Sequence, residues 1–260
     1  MISVFEGKEI TAALDGGADI IDVKNPAEGP LGAPSPEAIS DVCNRLKGNK
    51  PFSIALGEFP NKPNAAALAA LGGAHFLPDF IKVAFVSHTV SEEIFETLRA
   101  IKKSLRFFRQ KKIALVSVAY ADTLGSASWN LSDFATVSKA GGADGCLVDT
   151  SQKNGKSLPD YLSRNNIERF IADCRKEQLF CGLAGSLRID NVTDLCRLEP
   201  DIIGVRSAVC GGDRLRGTVS AQSVRELRAA LGPSGFRGAE RLRGSGRFPE
   251  ERAAFPDLNR

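Results

Sequence analysis

The sequence predicts a single α/β domain folded as a (βα)8 TIM barrel, and three observations support this prediction. The chain has 260 residues, close to the usual size of such a barrel. Eight short apolar segments alternate strictly with eight helical patterns, which favours a closed parallel barrel over a doubly wound sheet. Gly-Gly pairs recur at 16–17, 72–73 and 141–142, where a helix is expected to end before an even-numbered strand.

The predicted strands are the segments rich in β-branched and apolar residues between turn signals. They cover residues 2–5, 18–24, 52–57, 80–85, 112–120, 145–149, 180–184 and 202–206. The helical patterns fill the intervals. They cover residues 8–14, 35–47, 64–71, 91–109, 132–140, 159–178, 190–198 and 220–231.

Local signals justify individual helices. Ser35-Pro36 provides a capping residue followed by proline at the first helical position. Ser91 precedes two glutamates at the start of the most amphipathic helix, and the helix at 64–71 is rich in alanine. Periodicity ends after residue 232. We therefore predict a catalytic barrel over residues 1–232 and a disordered basic tail over residues 233–260.

Composition excludes several functional classes. The net charge of +3 comes from 34 basic and 31 acidic residues, so no basic footprint for nucleic acid is present. Six cysteines without a C-x-x-C pair and two histidines argue against a zinc site or a disulfide framework. The sequence shows neither a signal peptide nor an apolar run of membrane-spanning length. We expect a cytoplasmic protein that binds neither nucleic acid nor membrane.

Charged residues recur at the carboxyl ends of the predicted strands, where barrels place their active sites. Asp22 and Lys24 are two residues apart on the second strand, so their side chains share one face. An ordinary ion pair at a strand end is the alternative for these two residues. The other charged residues at strand ends or just beyond them are Asp122, Asp149, Lys153 and Arg206.

Lys82 lies inside the apolar run at 80–85. Lysine is almost never fully buried without a partner, because desolvating an ammonium is expensive. Inside a barrel Lys82 must therefore face a carboxylate or give up its proton, and a neutral amine is a nucleophile or a base. The alternative is that Lys82 points outward and extends between the helices.

The loops after the last two strands contain glycines that let backbone N–H groups approach an anion. These loops are the common phosphate position in this fold. The residues concerned are Gly185 and Ser186 after the seventh strand, and Gly212, Asp213 and Arg214 after the eighth, with Arg206 nearby. The pattern predicts a small phosphorylated substrate.

Several motifs together resemble the (5-formylfuran-3-yl)methyl phosphate synthase family, in register over residues 2–231. They are Asp22-Val23-Lys24-Asn25-Pro26, Ile81-Lys82-Val83, Tyr120-Ala121-Asp122, Leu147-Val148-Asp149-Thr150, Leu183-Ala184-Gly185-Ser186 and Gly211-Gly212-Asp213-Arg214.

The resemblance implies a lyase that joins two molecules of glyceraldehyde 3-phosphate into a furan phosphate during methanofuran-type cofactor synthesis. It implies Lys24 as the Schiff-base lysine and Lys82 as the proton acceptor, with Asp22, Asp149 and Lys153 at the other catalytic positions. No cofactor is implied, and the expected partners are a triose phosphate and further copies of the chain. A class I aldolase, another sugar-phosphate barrel enzyme and a non-catalytic sugar-phosphate binder remain the alternatives.

Overall fold

Eight parallel strands lie in chain order in the computed structural model, which describes residues 1–108, 111–152, 154–211, 217–231 and 242. The strands are β1 (Ile2–Val4), β2 (Ile21–Val23), β3 (Phe52–Glu58), β4 (Phe80–Phe85), β5 (Ala114–Tyr120), β6 (Gly145–Asp149), β7 (Phe180–Leu183) and β8 (Ile202–Ile203). Backbone hydrogen bonds from Ser3 N to Val205 O and from Val205 N to Met1 O, 2.9 and 3.0 Å long, join β1 to the chain after β8. The predicted barrel is confirmed.

At least one helix follows every strand. The α-helices of the described chain are α1 (Gly7–Asp15), α2 (Pro36–Leu46), α3 (Pro63–Ala74), α4 (Ser91–Leu105), α5 (Leu131–Gly141), α6 (Leu158–Tyr161), α7 (Arg164–Lys176), α8 (Ile189–Cys196) and α9 (Ala221–Ala230). Short 3-10 helices cover Pro26–Glu28 and Ala121–Ser126.

The expected helix at 159–178 is two helices. The helical conformation is interrupted at Leu162-Ser163. The Ser163 hydroxyl accepts a hydrogen bond from the Asn166 N–H and caps the start of α7. The prediction missed this capping residue because the apolar period continues through it. Within β8 the regular ladder is also shorter than predicted, covering only Ile202–Ile203.

Two of the three Gly-Gly pairs end a helix as predicted. Gly17 and Gly142 adopt φ angles of 89° and 93°, the left-handed conformation that glycine takes without strain. The pair at 72–73 was predicted wrongly, because it lies inside α3. That connection instead turns at Leu77, which has a φ of 50° before Pro78.

Side chains inside the barrel change character along its axis. An apolar floor at the amino ends of the strands is formed by Ile20, Phe80, Phe180 and Ile202. The interior nearer the carboxyl ends is polar.

Leu242, the one described residue of the predicted tail, is 1% exposed and packs in the same apolar cluster. The other tail residues, 233–241 and 243–260, lie outside the described part of the chain, so the predicted disorder of this segment stays a prediction.

Candidate active site

A pocket inside the barrel brings most of the predicted site residues together. Its lining includes Asp22, Lys24, Lys82, Asp149, Gly185, Ser186 and Arg206. Lys153, Gly212, Asp213 and Arg214 lie outside the described residues, so their predicted roles stay predictions.

Lys82 points into the barrel and pairs with Asp22. Its Nζ lies 2.5 Å from Asp22 Oδ1, and both side chains are buried. The expectation that a buried Lys82 faces a carboxylate is confirmed. The outward-pointing alternative is excluded by this geometry.

Two serines hold Asp22 from the neighbouring strands. The Ser3 hydroxyl donates to Asp22 Oδ2 at 2.9 Å, and the Ser53 hydroxyl donates to Oδ1. Burial alone would raise the pKa of Asp22, but the ammonium groups of Lys82 and Lys24 and the hydrogen bonds lower it below its ordinary value. Asp22 is therefore an ionised carboxylate in contact with the Lys82 amine. The strand register aligns Ser3, Asp22 and Ser53 side by side. Sequence reasoning missed both serines because this register is not visible in the sequence.

Lys24 forms a looser pair with Asp149. The Lys24 Nζ lies 3.6 Å from Asp149 Oδ2, and the lysine is 7% exposed. Asp149 Oδ1 accepts a hydrogen bond of 2.7 Å from the Thr150 N–H, which fixes the carboxylate at the end of β6. Lys24 is therefore at the mouth of the pocket, with a carboxylate within reach of its amine.

The segment after β7 approaches the chain after β6 closely. Gly185 has a φ of 111°, and a Cβ at this position would lie 2.9 Å from Thr150 Cγ2. Only glycine fits such a contact with this backbone conformation. Ser186, half-buried with a φ of 49°, follows it at the pocket wall. The backbone here can approach a ligand without an intervening side chain.

Arg206 has a partner that the sequence did not reveal. Its guanidinium donates to both carboxylate oxygens of Glu9 at 3.0 Å, and also to the carbonyls of Ser3 and Gly217. Glu9 also accepts from the backbone N–H groups of Phe5 and Val219. The ion pair thus ties α1 and β1 to the chain after β8. These contacts make Arg206 a brace across the seam of the barrel, and its expected role in phosphate binding stays a prediction.

This brace predicts an acid-dependent loss of stability. Burial would raise the pKa of Glu9, but the Arg206 guanidinium and the Phe5 N–H lower it below the ordinary 4.5. The ionised carboxylate therefore stabilises the fold fully above about pH 4.5, and this contribution is lost as pH falls through the lower folded value. Chemical denaturation between pH 3 and pH 7 should show a smaller pH dependence in Glu9→Gln than in the original chain. Equal slopes for the two proteins would contradict this.

Asp122 holds a loop. Its oxygens accept from the Ser151 N–H, the Ser151 hydroxyl and the Gln152 N–H at 2.7 to 2.8 Å. These three contacts fix the segment that leads to position 153, while the predicted place of Asp122 among the substrate ligands stays a prediction. Asp122 therefore orients the loop after β6.

Metal ligands do not converge in the described chain. No group of three or more His, Cys, Asp or Glu side chains within it has the arrangement of a metal site. Among the described helices, none is both long and apolar enough to cross a bilayer.

Comparison with known proteins identifies relatives of this chain. The chain is 39% identical over 215 residues to the (5-formylfuran-3-yl)methyl phosphate synthase of Archaeoglobus fulgidus, covering 82% of this chain and 91% of that protein. The protein of the same name from Methanopyrus kandleri is 36% identical over 232 residues, covering 89% and 98%.

A solved structure shares the fold alone. Phosphoribosyl anthranilate isomerase from Thermus thermophilus superposes with a TM-score of 0.58 at 15% identity, over 88% of this chain and 96% of that one. A family model described as 4-HFC-P synthase matches residues 1–228. The chain therefore belongs to the 4-HFC-P synthase family.

Proposed function

We propose that this protein is a carbon–oxygen lyase that makes (5-formylfuran-3-yl)methyl phosphate from two molecules of glyceraldehyde 3-phosphate. The reaction proceeds through an imine on Lys24 and serves the synthesis of a methanofuran-type cofactor. Membership of the family supports the product, because the two relatives described above carry the name of this synthase. The observation that carries the mechanism is the pair of buried lysine–aspartate contacts in one pocket.

The two pairs differ in length, and this difference supports different roles for the two lysines. Lys82 and Asp22 are 2.5 Å apart, and two serines also hold Asp22. Lys24 and Asp149 are 3.6 Å apart, so their ion pair is the longer of the two. The nucleophile must leave its ion pair to attack a carbonyl carbon, and the looser pair loses less on doing so. This comparison favours Lys24 as the imine former.

Asp149 is the proton partner of Lys24. The ammonium transfers a proton to Asp149, and the neutral amine then attacks the substrate carbonyl. A C–N bond forms, and the carbonyl oxygen leaves as water. The resulting iminium withdraws electrons from the adjacent carbon, which can then lose a proton and attack the aldehyde of a second triose phosphate.

Lys82 begins the cycle as a proton donor, with its amine held 2.5 Å from the ionised Asp22. Once it has protonated a substrate oxygen, its neutral amine becomes the proton acceptor that the family resemblance implies. Two triose phosphates contain one phosphate and two waters more than the furan product. The same lysine can therefore assist both the bond-forming step and the later eliminations.

The phosphate group of the substrate is expected at Gly185 and Ser186. The close backbone packing at Gly185 and the half-buried hydroxyl of Ser186 lie at the wall of the pocket that also contains Lys24. Gly212, Asp213 and Arg214 would complete this site, with Lys153 as a further catalytic group.

The proposed steps are carried by lysine and carboxylate side chains. We therefore expect full activity after exhaustive treatment with EDTA followed by gel filtration. Loss of activity that Mg²⁺ or Zn²⁺ restores would contradict this expectation. The same experiment with a metal-dependent aldolase provides the positive control for chelation.

The test of the function uses purified protein and glyceraldehyde 3-phosphate. A furan is expected, detected by its ultraviolet absorbance and by mass, with one phosphate released for every two trioses consumed. Borohydride should trap one substrate adduct on the peptide containing Lys24. An aldolase would give the adduct and a sugar bisphosphate without phosphate release. A non-catalytic binder would give neither adduct nor furan.

A further inference from the structure

A second polar contact lies inside the barrel, at the carboxyl ends of β3 and β5. The hydroxyl of Tyr120, the last residue of β5, donates a hydrogen bond to Oε1 of Glu58, the last residue of β3. Tyr120 is 1% exposed and Glu58 is half-buried. The steps described so far use neither residue.

A β-bulge turns Glu58 into the barrel. Ala55 pairs with Lys82 on β4, and the next pair joins Glu58 to Ala84, so three residues of β3 advance beside two of β4. Gly57 takes up the extra residue with a φ of 91°. Simple alternation from Ala55 would have directed Glu58 outward, towards the helices. Bulges of this kind often redirect a side chain beside an active site.

The charge of Glu58 lacks a counterion in the described part of the chain. Lys82 and Lys24 pair with Asp22 and Asp149, while Arg206 is held by Glu9. Glu58 has only a neutral hydroxyl as its described side-chain partner. An inward carboxylate with such weak compensation is costly for the fold. The bulge nevertheless keeps the Glu58 carboxylate inside the barrel, which indicates that this carboxylate takes part in the chemistry of the enzyme.

Tyr120 acts as a donor to this carboxylate. Burial, followed by the negative charges of Glu58 and Asp149, raises the pKa of Tyr120 far above its ordinary value. The phenol therefore keeps its proton at neutral pH and directs it at the Glu58 carboxylate. Tyr120 also pairs in register with Asp149, the partner of Lys24. The contact is thus one strand away from Asp149, the partner of the lysine that the proposed function assigns to the imine.

We propose that Glu58 is a further acid–base group of this enzyme, acting in the dehydration that makes the ring aromatic, and that Tyr120 is its positioning residue. The inference rests on the proposed function. In the step, Glu58 removes a proton from carbon, the C–H electron pair forms the C=C bond, and the neighbouring C–O bond breaks. The departing hydroxyl takes the proton back from Glu58 and leaves as water, so the carboxylate is regenerated.

The first test compares Glu58→Gln with the original enzyme, using glyceraldehyde 3-phosphate as substrate. Glutamine keeps the shape and can still accept from Tyr120, but it cannot take a proton. Borohydride trapping on Lys24 should remain, furan formation should fall about 10²–10⁴-fold, and a hydrated six-carbon precursor should accumulate. Glu92→Gln, the same change at an exposed site on α4, should leave all three measurements unchanged.

The second test is the pH profile of kcat for Tyr120→Phe. Loss of a hydrogen-bond donor makes a carboxylate bind its proton more tightly, so the acidic limb should move to higher pH while KM stays nearly constant. Furan formation by Glu58→Gln at the original rate, or loss of trapping together with furan in that variant, would overturn the inference. An unmoved acidic limb in Tyr120→Phe would overturn the positioning role. Failure of the proposed function would be seen separately, as an original enzyme that makes no furan.

Discussion

Replacing Lys24 with arginine is expected to reduce furan formation by about 10³-fold or more and to abolish borohydride trapping. A guanidinium stays protonated at neutral pH, so it cannot attack a carbonyl to form the imine. It keeps the positive charge opposite Asp149, which Lys24 approaches to 3.6 Å. Phosphate binding, measured by calorimetry with inorganic phosphate, should therefore change little.

The matched control is Lys111→Arg. Lys111 forms a similarly buried pair with Asp79 at 3.0 Å, but this pair lies at the amino ends of β4 and β5, opposite the pocket. The control should retain turnover and trapping. A Lys24→Arg protein that still traps substrate, or an adduct mapped to Lys82 in the original enzyme, would show that the two lysine roles are reversed.

The barrel was predictable because its signals are local. Each strand is a short apolar run, and each is separated from the next by a helical period. The errors occurred where local signals compete. Apolar periodicity continues through Ser163, although the side chain of this residue caps a new helix. The Gly-Gly pair at 72–73 stays within α3 because a later turn at Leu77 ends the connection.

Partners of the charged residues were less predictable. The cost of burying an ammonium was enough to predict that Lys82 faces a carboxylate. Choosing Asp22 among the available carboxylates requires the register across three strands, because the two residues are 60 positions apart. Arg206 shows the same difficulty, since its partner Glu9 lies 197 positions away on α1.

The inward direction of the Glu58 side chain could not be predicted from the sequence for a different reason. Strict alternation along β3 assigns this residue to the outer face, and only the bulge at Gly57 reverses that assignment. A glycine inside a strand is a known signal for a bulge. It does not give the direction in which the following side chain turns, which depends on the pairing with β4.

Replacing Lys82 with methionine is expected to lower the free energy of unfolding by about 3–5 kcal/mol, the usual cost of removing one partner from a buried ion pair. Asp22 would remain fully buried without its nearest cation. The same substitution in Lys102→Met breaks a surface pair of equal length, with Asp144, whose side chains are 30% and 24% exposed. That control should lose about 1 kcal/mol or less.

The pair itself is tested by adding Asp22→Asn to Lys82→Met. Asparagine removes the stranded charge, and its carbonyl oxygen can still accept from Ser3 or Ser53. The double variant should therefore be more stable than Lys82→Met alone. In Lys82→Met the burial of Asp22 is opposed by one cation fewer, which raises the pKa of this carboxyl relative to the original chain, so acidification should destabilise this variant less. The original chain should lose more stability on acidification, because its Asp22 pKa is lowered. Both variants should lose furan formation, while Lys82→Met should still be labelled at Lys24 by borohydride. Strictly additive losses in the double variant would mean that Lys82 and Asp22 do not depend on each other for stability.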